Sequence, residues 1–186
     1  SLYGNDKLKP ENTKSFDLSI GYRELKLTYF DSKIKDMIEY DSSISKYNNI
    51  LGTSKLKGLE LEYKTDLTQD ILLSSNYTYL SAKNKDEQEL KRRPKHTLSM
   101  GIDYYGINDL HLGVYGEYIG SRFDSDDRQG EQTGKYAIVN LVANYDINKN
   151  LTAYVKIDNM FDKYYQVIDG YATAPRSLYV GMKAKF

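Results

Sequence analysis

The protein has 186 residues, with 26 basic and 26 acidic side chains, 19 tyrosines and neither cysteine nor tryptophan. A net charge of zero argues against a nucleic-acid partner, which usually leaves a basic footprint. The absence of cysteine excludes disulfides, thiolate catalysis and cysteine-ligated metals. No apolar run approaches the roughly 18 residues of a membrane helix, whereas the strands of a membrane barrel give a weaker, alternating signal.

Alternating apolar and polar residues predict an all-β chain of nine strands without a helix. The first strand closes at Tyr22, and the second returns from Leu25 and reaches as far as Tyr40. The predicted strands cover residues 16–22, 25–40, 59–63, 71–79, 98–104, 110–118, 139–145, 151–157 and 177–186.

An aromatic residue closes every second strand at a constant spacing. Counting back from Phe186 in steps of 41 reaches Tyr145, Tyr104, Tyr63 and Tyr22. Each of these tyrosines precedes a short turn, while the other connections, around residues 41–51, 81–93, 121–134 and 162–175, are long and polar. Short turns at one end and long loops at the other are typical of an antiparallel transmembrane β-barrel of the bacterial outer membrane. The apolar face would then meet lipid, and the closing aromatic residues would form a girdle.

The same alternation fits a soluble β-rich binding or scaffold domain, because a soluble sheet would turn its apolar face inward. A period of about 41 residues also fits a propeller, whose blades recur every 40–45 residues. Charged residues on the polar face, such as Glu60, Glu62 and Asp103, favour the membrane barrel. Nine strands would leave two unpaired edges in lipid, so we expect the chain to be part of a larger barrel.

Four segments resemble the TonB-dependent outer-membrane transporters. They are Gly4 to Glu11, with Asp6 where proline is usual; Gly58 to Leu61; Asn159 to Tyr165; and the C-terminal pattern Tyr179, Gly181, Ala184, Phe186, which resembles the signal read by the barrel assembly machinery. The resemblance implies a plugged barrel of 22 strands in the outer membrane of a Gram-negative bacterium. It makes residues 1–186 the C-terminal part of that barrel, and places the plug and the TonB-binding segment before Ser1.

Within the family, several segments resemble the cobalamin transporters: residues 76–79, Arg92 and Arg93, residues 120–126, residues 170–171 and Arg176. This resemblance implies uptake of a scarce large nutrient, cobalamin first, with a ferric siderophore or haem as the alternative. The implied partners are the TonB complex, the barrel assembly machinery, outer-membrane lipid and lipopolysaccharide. No cofactor is expected in this segment, and calcium remains open for the intact receptor.

A large nutrient with polar groups and apolar rings needs aromatic faces and hydrogen-bond donors at the mouth of the barrel. The predicted ligand-contacting residues come from two long loops and are Ser121, Arg122, Asp124, Asp126, Arg128, Tyr165, Tyr171 and Arg176. Solvated loop packing explains the same side chains, so both interpretations stay open.

Three further patterns have weaker chemical interpretations. The acidic run 124–127 supplies oxygen ligands of the kind that calcium prefers, but it lacks the EF-hand spacing. The basic run 91–96 could meet the phosphates of lipopolysaccharide or be a solvated loop base. His96 and His111 could form a metal pair or serve a hydrolase, but no third group converges on them in sequence, and no enzyme is expected.

Overall fold

The computed structural model describes residues 4–41 and 43–185, and its regular structure is almost entirely β-strand. Nine strands form one antiparallel sheet, and two short ones form a separate hairpin. The sheet strands are β1 (Asn12–Tyr22), β2 (Leu25–Lys35), β5 (Thr53–Asp66), β6 (Ile71–Lys83), β7 (His96–Ile107), β8 (Leu110–Ile119), β9 (Tyr136–Asn148), β10 (Leu151–Asp158) and β11 (Ser177–Ala184). The hairpin consists of β3 (Ile38–Asp41) and β4 (Lys46–Asn49), and Asp126–Arg128 forms a short 3-10 turn.

The sheet is a continuous meander in which each strand pairs with the next sheet strand in the chain. Four connections are tight turns, at residues 23–24, 67–70, 108–109 and 149–150, and they define the short-turn end. The intervening connections, residues 36–52, 84–95, 120–135 and 159–176, define the long-loop end. The predicted alternation of short and long connections is therefore confirmed. No helix of the described residues has the length and apolarity needed to cross a membrane.

One face of the sheet is apolar and uncovered. Leu18 is 62% exposed on β1 and Val180 is 71% exposed on β11, with Met100 also exposed near the middle of the sheet. The same face continues across the other strands through Leu27, Leu61, Ile102, Val114 and Val155. A soluble protein rarely exposes so large an apolar surface, so this face needs an apolar environment.

Aromatic side chains bound this apolar face at both ends. Tyr22, Tyr63, Tyr104 and Tyr145 lie near the short-turn end, as predicted, whereas Phe186 lies outside the described residues. A second aromatic group lies toward the long loops, where Leu59 pairs with Tyr29 and Tyr79, and Tyr79 pairs with His96. His96 and Tyr104 are eight positions apart on β7, about 26 Å along the strand. At a strand tilt of 35–45° this is about 20 Å of height, close to but less than the apolar band of about 25 Å in outer-membrane barrels.

The structure corrects the prediction around residues 36–51. The second strand ends at Lys35 instead of continuing to Tyr40, because Asp36 adopts a left-handed conformation (φ 57°). Part of the predicted polar loop 41–51 is the hairpin β3–β4. Its base is closed by hydrogen bonds from the Asp36 N–H to the Gly52 carbonyl (3.2 Å) and from the Ile50 N–H to the Met37 carbonyl (2.7 Å).

A small apolar core attaches the long loops to the sheet. Its buried members are Met37, Ala82 and Leu90, packed against Ile34, Ile50, Leu56 and Leu80. Leu56 and Ala82 alternate with the apolar-face residues of their strands, so they lie on the opposite, polar face. This cluster holds the hairpin and the loop 84–95 over the long-loop end of that face.

Two glycines of the family-like segments lie beneath aromatic rings. A Cβ at Gly58 would stand 2.7 Å from the ring of Phe30 and 2.0 Å from the carbonyl oxygen of Tyr79. A Cβ at Gly181 would stand 2.5 Å from the hydroxyl of Tyr154, its cross-strand partner. Because only glycine leaves room for these rings, the segments have a packing role in the sheet.

Candidate functional site

Three long loops and the β3–β4 hairpin meet at the long-loop end. The N–H of Arg92 donates to the carbonyl of Phe123 (2.8 Å), and the N–H of Asp127 donates to the carbonyl of Glu89 (2.7 Å). These bonds join the loop 84–95 to the loop 120–135. The candidate site is therefore formed by segments that are far apart in sequence and are brought together by the sheet.

Asp124 is the centre of this assembly. Its Oδ1 accepts a hydrogen bond from Arg92 Nε (2.8 Å), and its Oδ2 accepts from Arg92 Nη2 (3.3 Å) and from the N–H of Asp169 (2.8 Å). Burial by itself would raise the pKa of Asp124, but the bonds from Arg92 and Asp169 lower it below its ordinary value. The carboxylate thus ties three long loops together in its charged form.

Asp126 and Arg128 also contact the loop 84–95. Asp126 Oδ1 accepts the N–H of Lys91 (2.7 Å), while the Arg128 guanidinium lies 5.0 Å from the Phe123 ring and 3.9 Å from Glu89. The carboxylates of Asp124 and Asp126 therefore serve as acceptors for protein N–H groups. In residues 4–41 and 43–185, no group of three or more histidine, aspartate or glutamate side chains is arranged to hold a metal ion.

Arg122 and Tyr165 connect the loops 120–135 and 159–176. Arg122 Nη2 donates to the carbonyl of Val167 (3.2 Å), and the Tyr165 ring packs 4.4 Å from that of Tyr136. Ser121 is partly exposed beside Arg122. Arg122, Asp124, Asp126, Arg128 and Tyr165 thus all hold loops in place, which agrees with the loop-packing alternative left open by the sequence.

The other predicted contact residues point to a different surface. Tyr171 is 71% exposed, and Arg176 is exposed while its backbone N–H donates to Asp162 Oδ1 (2.8 Å). Phe161 and Tyr164, in the same loop, are each 72% exposed. The loop 159–176 therefore presents aromatic faces and a guanidinium of the kind that could contact a large ligand.

A cavity of about 430 Å³ between the hairpin and the loops was not predicted from the sequence. Lys91 lies at its edge, where Nζ contacts Glu39 Oε2 (3.1 Å) and donates to the carbonyl of Tyr40 (2.9 Å). Asp41 and Asn48 from the hairpin complete its wall opposite Asp124 and Asp126. Ile38 and Tyr40 alternate with Glu39 and Asp41 and fall within the predicted second strand, but no sequence pattern indicated β4, the turn back to it or the cavity.

The basic run 91–96 is largely neutralised within the protein. Lys91 pairs with Glu39, Arg92 with Asp124 and Lys95 with Glu89. Contact of this run with lipopolysaccharide phosphates stays a prediction, which these ion pairs weaken. Carboxylates of the hairpin, of the loop 120–135 and of the run's own loop bind most of its charge.

The two histidines lie on opposite faces of the sheet and do not meet. His96 bonds the Tyr77 hydroxyl (2.7 Å) on the apolar face. On the polar face His111 Nε2 contacts Asp103 Oδ1 (2.7 Å) and Nδ1 contacts Asn144 Nδ2 (3.0 Å), while the Tyr115 hydroxyl donates to the same Asp103 oxygen. Both ring nitrogens of His111 are thus occupied, and neither contacts the hydroxyl nucleophile that a hydrolase requires.

A comparison with family models matches residues 1–160 to the family described as TonB dependent receptor-like, beta-barrel. The match covers strands β1 to β10. It includes the loops 84–95 and 120–135, which supply the Arg92–Asp124 pair.

Solved structures with a similar fold include three transport proteins or receptors. The copper transporter OprC matches 99% of this chain (TM-score 0.77, 18% identity), and the siderophore receptor PirA from Acinetobacter baumannii matches 96% (TM-score 0.75, 18% identity). A mutant of the ferric enterobactin receptor PfeA from Pseudomonas aeruginosa, in complex with enterobactin, matches 98% (TM-score 0.73, 24% identity). The chain spans only 34%, 32% and 32% of these proteins, respectively.

Proposed function

The chain belongs to the TonB dependent receptor-like β-barrel family, and from this premise we propose that it forms part of an outer-membrane receptor that takes up a scarce nutrient. The observation that carries the proposal is the sheet itself, with one uncovered apolar face and one polar face. In a closed barrel the apolar face contacts lipid and the polar face lines the lumen. The long loops then form the extracellular mouth.

The nine strands are proposed to be the C-terminal portion of a larger barrel. Among the described residues, β1 pairs only with β2, and β11 pairs only with β10, so both outer edges need further strands in lipid. The rest of the protein would supply those strands, the plug and the contact with the TonB complex. Tyr179, Gly181, Ala184 and Phe186 remain the predicted signal for the barrel assembly machinery.

Two nutrient classes are proposed as the ligand. The similarity to a siderophore receptor and to a ferric enterobactin receptor supports a ferric siderophore. The resemblance of residues 120–126 to the cobalamin transporters supports cobalamin. Both are large molecules that combine polar groups with planar systems, which suit the exposed aromatic side chains of the loop 159–176.

We assign different roles to the predicted contact residues. Tyr171 and Arg176 are exposed and are proposed to touch the nutrient. Arg122, Asp124, Asp126 and Arg128 engage other loops and are proposed to shape the mouth instead. Tyr165 packs on Tyr136 and is also proposed to shape the mouth, while Ser121 stays a predicted contact residue.

The test is calorimetric titration of the full-length receptor in detergent with calcium present, using cyanocobalamin and ferric enterobactin as separate probes. Saturable one-to-one binding of one probe is expected. The double variant Tyr171→Ala, Arg176→Ala should weaken it by about tenfold or more, because removing an interfacial anchor commonly costs 1 to 2 kcal/mol or more. Lys149→Ala, at a short turn, is the matched control and should bind normally.

Binding of neither probe by a folded receptor would exclude both proposed nutrients. Equal affinity in the double variant and the control would remove Tyr171 and Arg176 from the contact surface. A receptor that binds its probe but supports no TonB-dependent growth on that nutrient would contradict the uptake role.

A further inference from the structure

Four lysines form one cross-strand row on the same side of the sheet as the apolar face. Lys14 pairs with Lys33, Lys33 with Lys55, and Lys55 with Lys83, across four neighbouring strands. Directly paired residues project from the same face of an antiparallel sheet. Strands lie about 4.8 Å apart, so the row spans about 14 Å.

The row lies next to the apolar face, on the side of the long loops. The residues that follow it toward the apolar face are Phe16, Asp31, Lys57 and Ser81, and the row after that is Leu18, Tyr29, Leu59 and Tyr79. Four residues separate Lys33 from Tyr29, about 13 Å along the strand. The lysines therefore stand at headgroup depth when the apolar face is in lipid.

The charges in this region are poorly balanced. Lys55 and Lys83 share one partner, Glu87, at 3.1 and 3.2 Å, and the hydrogen bonds from both lower its pKa, which keeps it anionic. Lys14, Lys33 and Lys57 make no ion pair with any residue that the structure describes. Like charges directly opposite each other destabilise a sheet, so the row favours an added anion.

A phosphate carried by a lipid suits both the lysine row and the apolar side chains next to it. A phosphate oxygen accepts hydrogen bonds from several ammonium groups. Acyl chains attached to the same molecule would lie along Leu18, Leu59 and their neighbours, which free phosphate could not cover. Lys55, Lys57, Ser81, Lys83 and Glu87 also line a cavity of about 240 Å³ on this face, which is large enough for a phosphate group.

We infer that the row Lys14, Lys33, Lys55 and Lys83, with Lys57, binds the phosphorylated headgroup of an outer-leaflet lipid, lipopolysaccharide in a Gram-negative outer membrane. This inference rests on the proposed placement of the barrel in that membrane. It moves the proposed lipopolysaccharide contact from the run 91–96, where Lys91, Arg92 and Lys95 have partners within the protein, to the apolar side of β1, β2, β5 and β6.

The experiment measures binding of phosphorylated lipopolysaccharide to the full-length receptor in non-ionic detergent. The test variant combines Lys14→Gln, Lys33→Gln and Lys57→Gln, which leaves both partners of Glu87 intact. The control combines Lys64→Gln, Lys149→Gln and Lys185→Gln, which removes the same charge at the short-turn end. We expect at least about a tenfold loss of affinity in the test variant, since each lysine near an anionic surface contributes roughly 1 kcal/mol, and little change in the control.

Several outcomes would overturn the inference. Unchanged affinity in the test variant, or an equal loss in both triple variants, would mean that the row is not the site. Equally tight binding of dephosphorylated lipopolysaccharide would show that the lysine row does not recognise phosphate. Tight binding of inorganic phosphate would show that the row is a site for free phosphate and not for a lipid. Heat-modifiable gel mobility reports folding, and nutrient titration on the same samples shows separately whether the proposed uptake function fails.

Discussion

At the scale of single residues, the strongest constraint is the space under aromatic rings. Gly58 faces Phe30 on one neighbouring strand and the Tyr79 backbone on the other, both closer than a Cβ tolerates. Gly116 on β8 differs, because a Cβ built there meets nothing within 4 Å. Substitution of alanine at Gly58 can therefore be compared with the same substitution at Gly116 as a control.

We predict that Gly58→Ala destabilises the folded barrel by about 1–3 kcal/mol, the usual cost of overpacking. Gly116→Ala should change stability by less than about 0.5 kcal/mol, as for an open surface site. The measurement is denaturant unfolding of the full-length receptor in detergent, followed by heat-modifiable gel mobility. Similar stability for both variants would contradict the packing role of Gly58.

At the scale of elements, the loops are joined by side chains that the sequence places far apart. Arg92 and Asp124 are 32 residues apart and meet because β6, β7, β8 and β9 pair in register. The alternating strands, their short turns and the tyrosine spacing could be predicted, since each depends on local periodicity. The Arg92–Asp124 pair could not, because its formation depends on loop conformations that no local pattern encodes.

The hairpin β3–β4 shows the same limit. Its segment is polar and only four residues long on each strand, too short for alternation to stand out. It is held by Lys91 from a different loop and by the packing of Met37 against Leu90. Tertiary contacts, rather than local propensity, stabilise it, so the sequence pattern indicated a second strand continuing to Tyr40 and a loop over residues 41–51.

We predict that Asp124→Asn loosens the loops while leaving the sheet intact. Loss of the charge should cost about 1–2 kcal/mol locally, discounted because Arg92 is 39% exposed. Hydrogen exchange in residues 84–95 and 159–176 should therefore accelerate by roughly five- to thirtyfold. Asp127→Asn is the control, because Asp127 is exposed on the same turn, and equal effects of the two variants would refute the role of Asp124.

The stabilisation of the loops by the hydrogen bonds to Asp124 should depend on pH. The folded-state pKa of Asp124 lies below its ordinary value, so the stabilisation is fully present above the unfolded pKa of about 3.9. It is lost as the pH falls through the folded pKa. Exchange in these loops, corrected for intrinsic rates, should stay slow from pH 7 to 5 and accelerate below about pH 4 in the wild type, whereas Asp124→Asn should show no such step.

At the scale of the whole molecule, the proposed function depends on which face of the sheet is in lipid. Large apolar residues alternate with polar residues or glycine over residues 97–104 of β7, where Met100 is exposed on the apolar face and Ser99 lies on the polar face. Alternation alone fits both a membrane barrel and a soluble sheet. The uncovered apolar face, the aromatic residues at both its ends and the family match together favour the barrel.

The most direct test is a nitroxide scan of residues 97 to 103, one label at a time, in the full-length receptor reconstituted in lipid bilayers. We predict that the accessibility of the labels to oxygen alternates from one residue to the next. Oxygen dissolved in lipid should reach labels at Leu98, Met100 and Ile102. Labels at Thr97, Ser99 and Asp103 should be shielded from it. The opposite phase, or oxygen accessibility without alternation, would contradict the lipid-facing assignment of the apolar face.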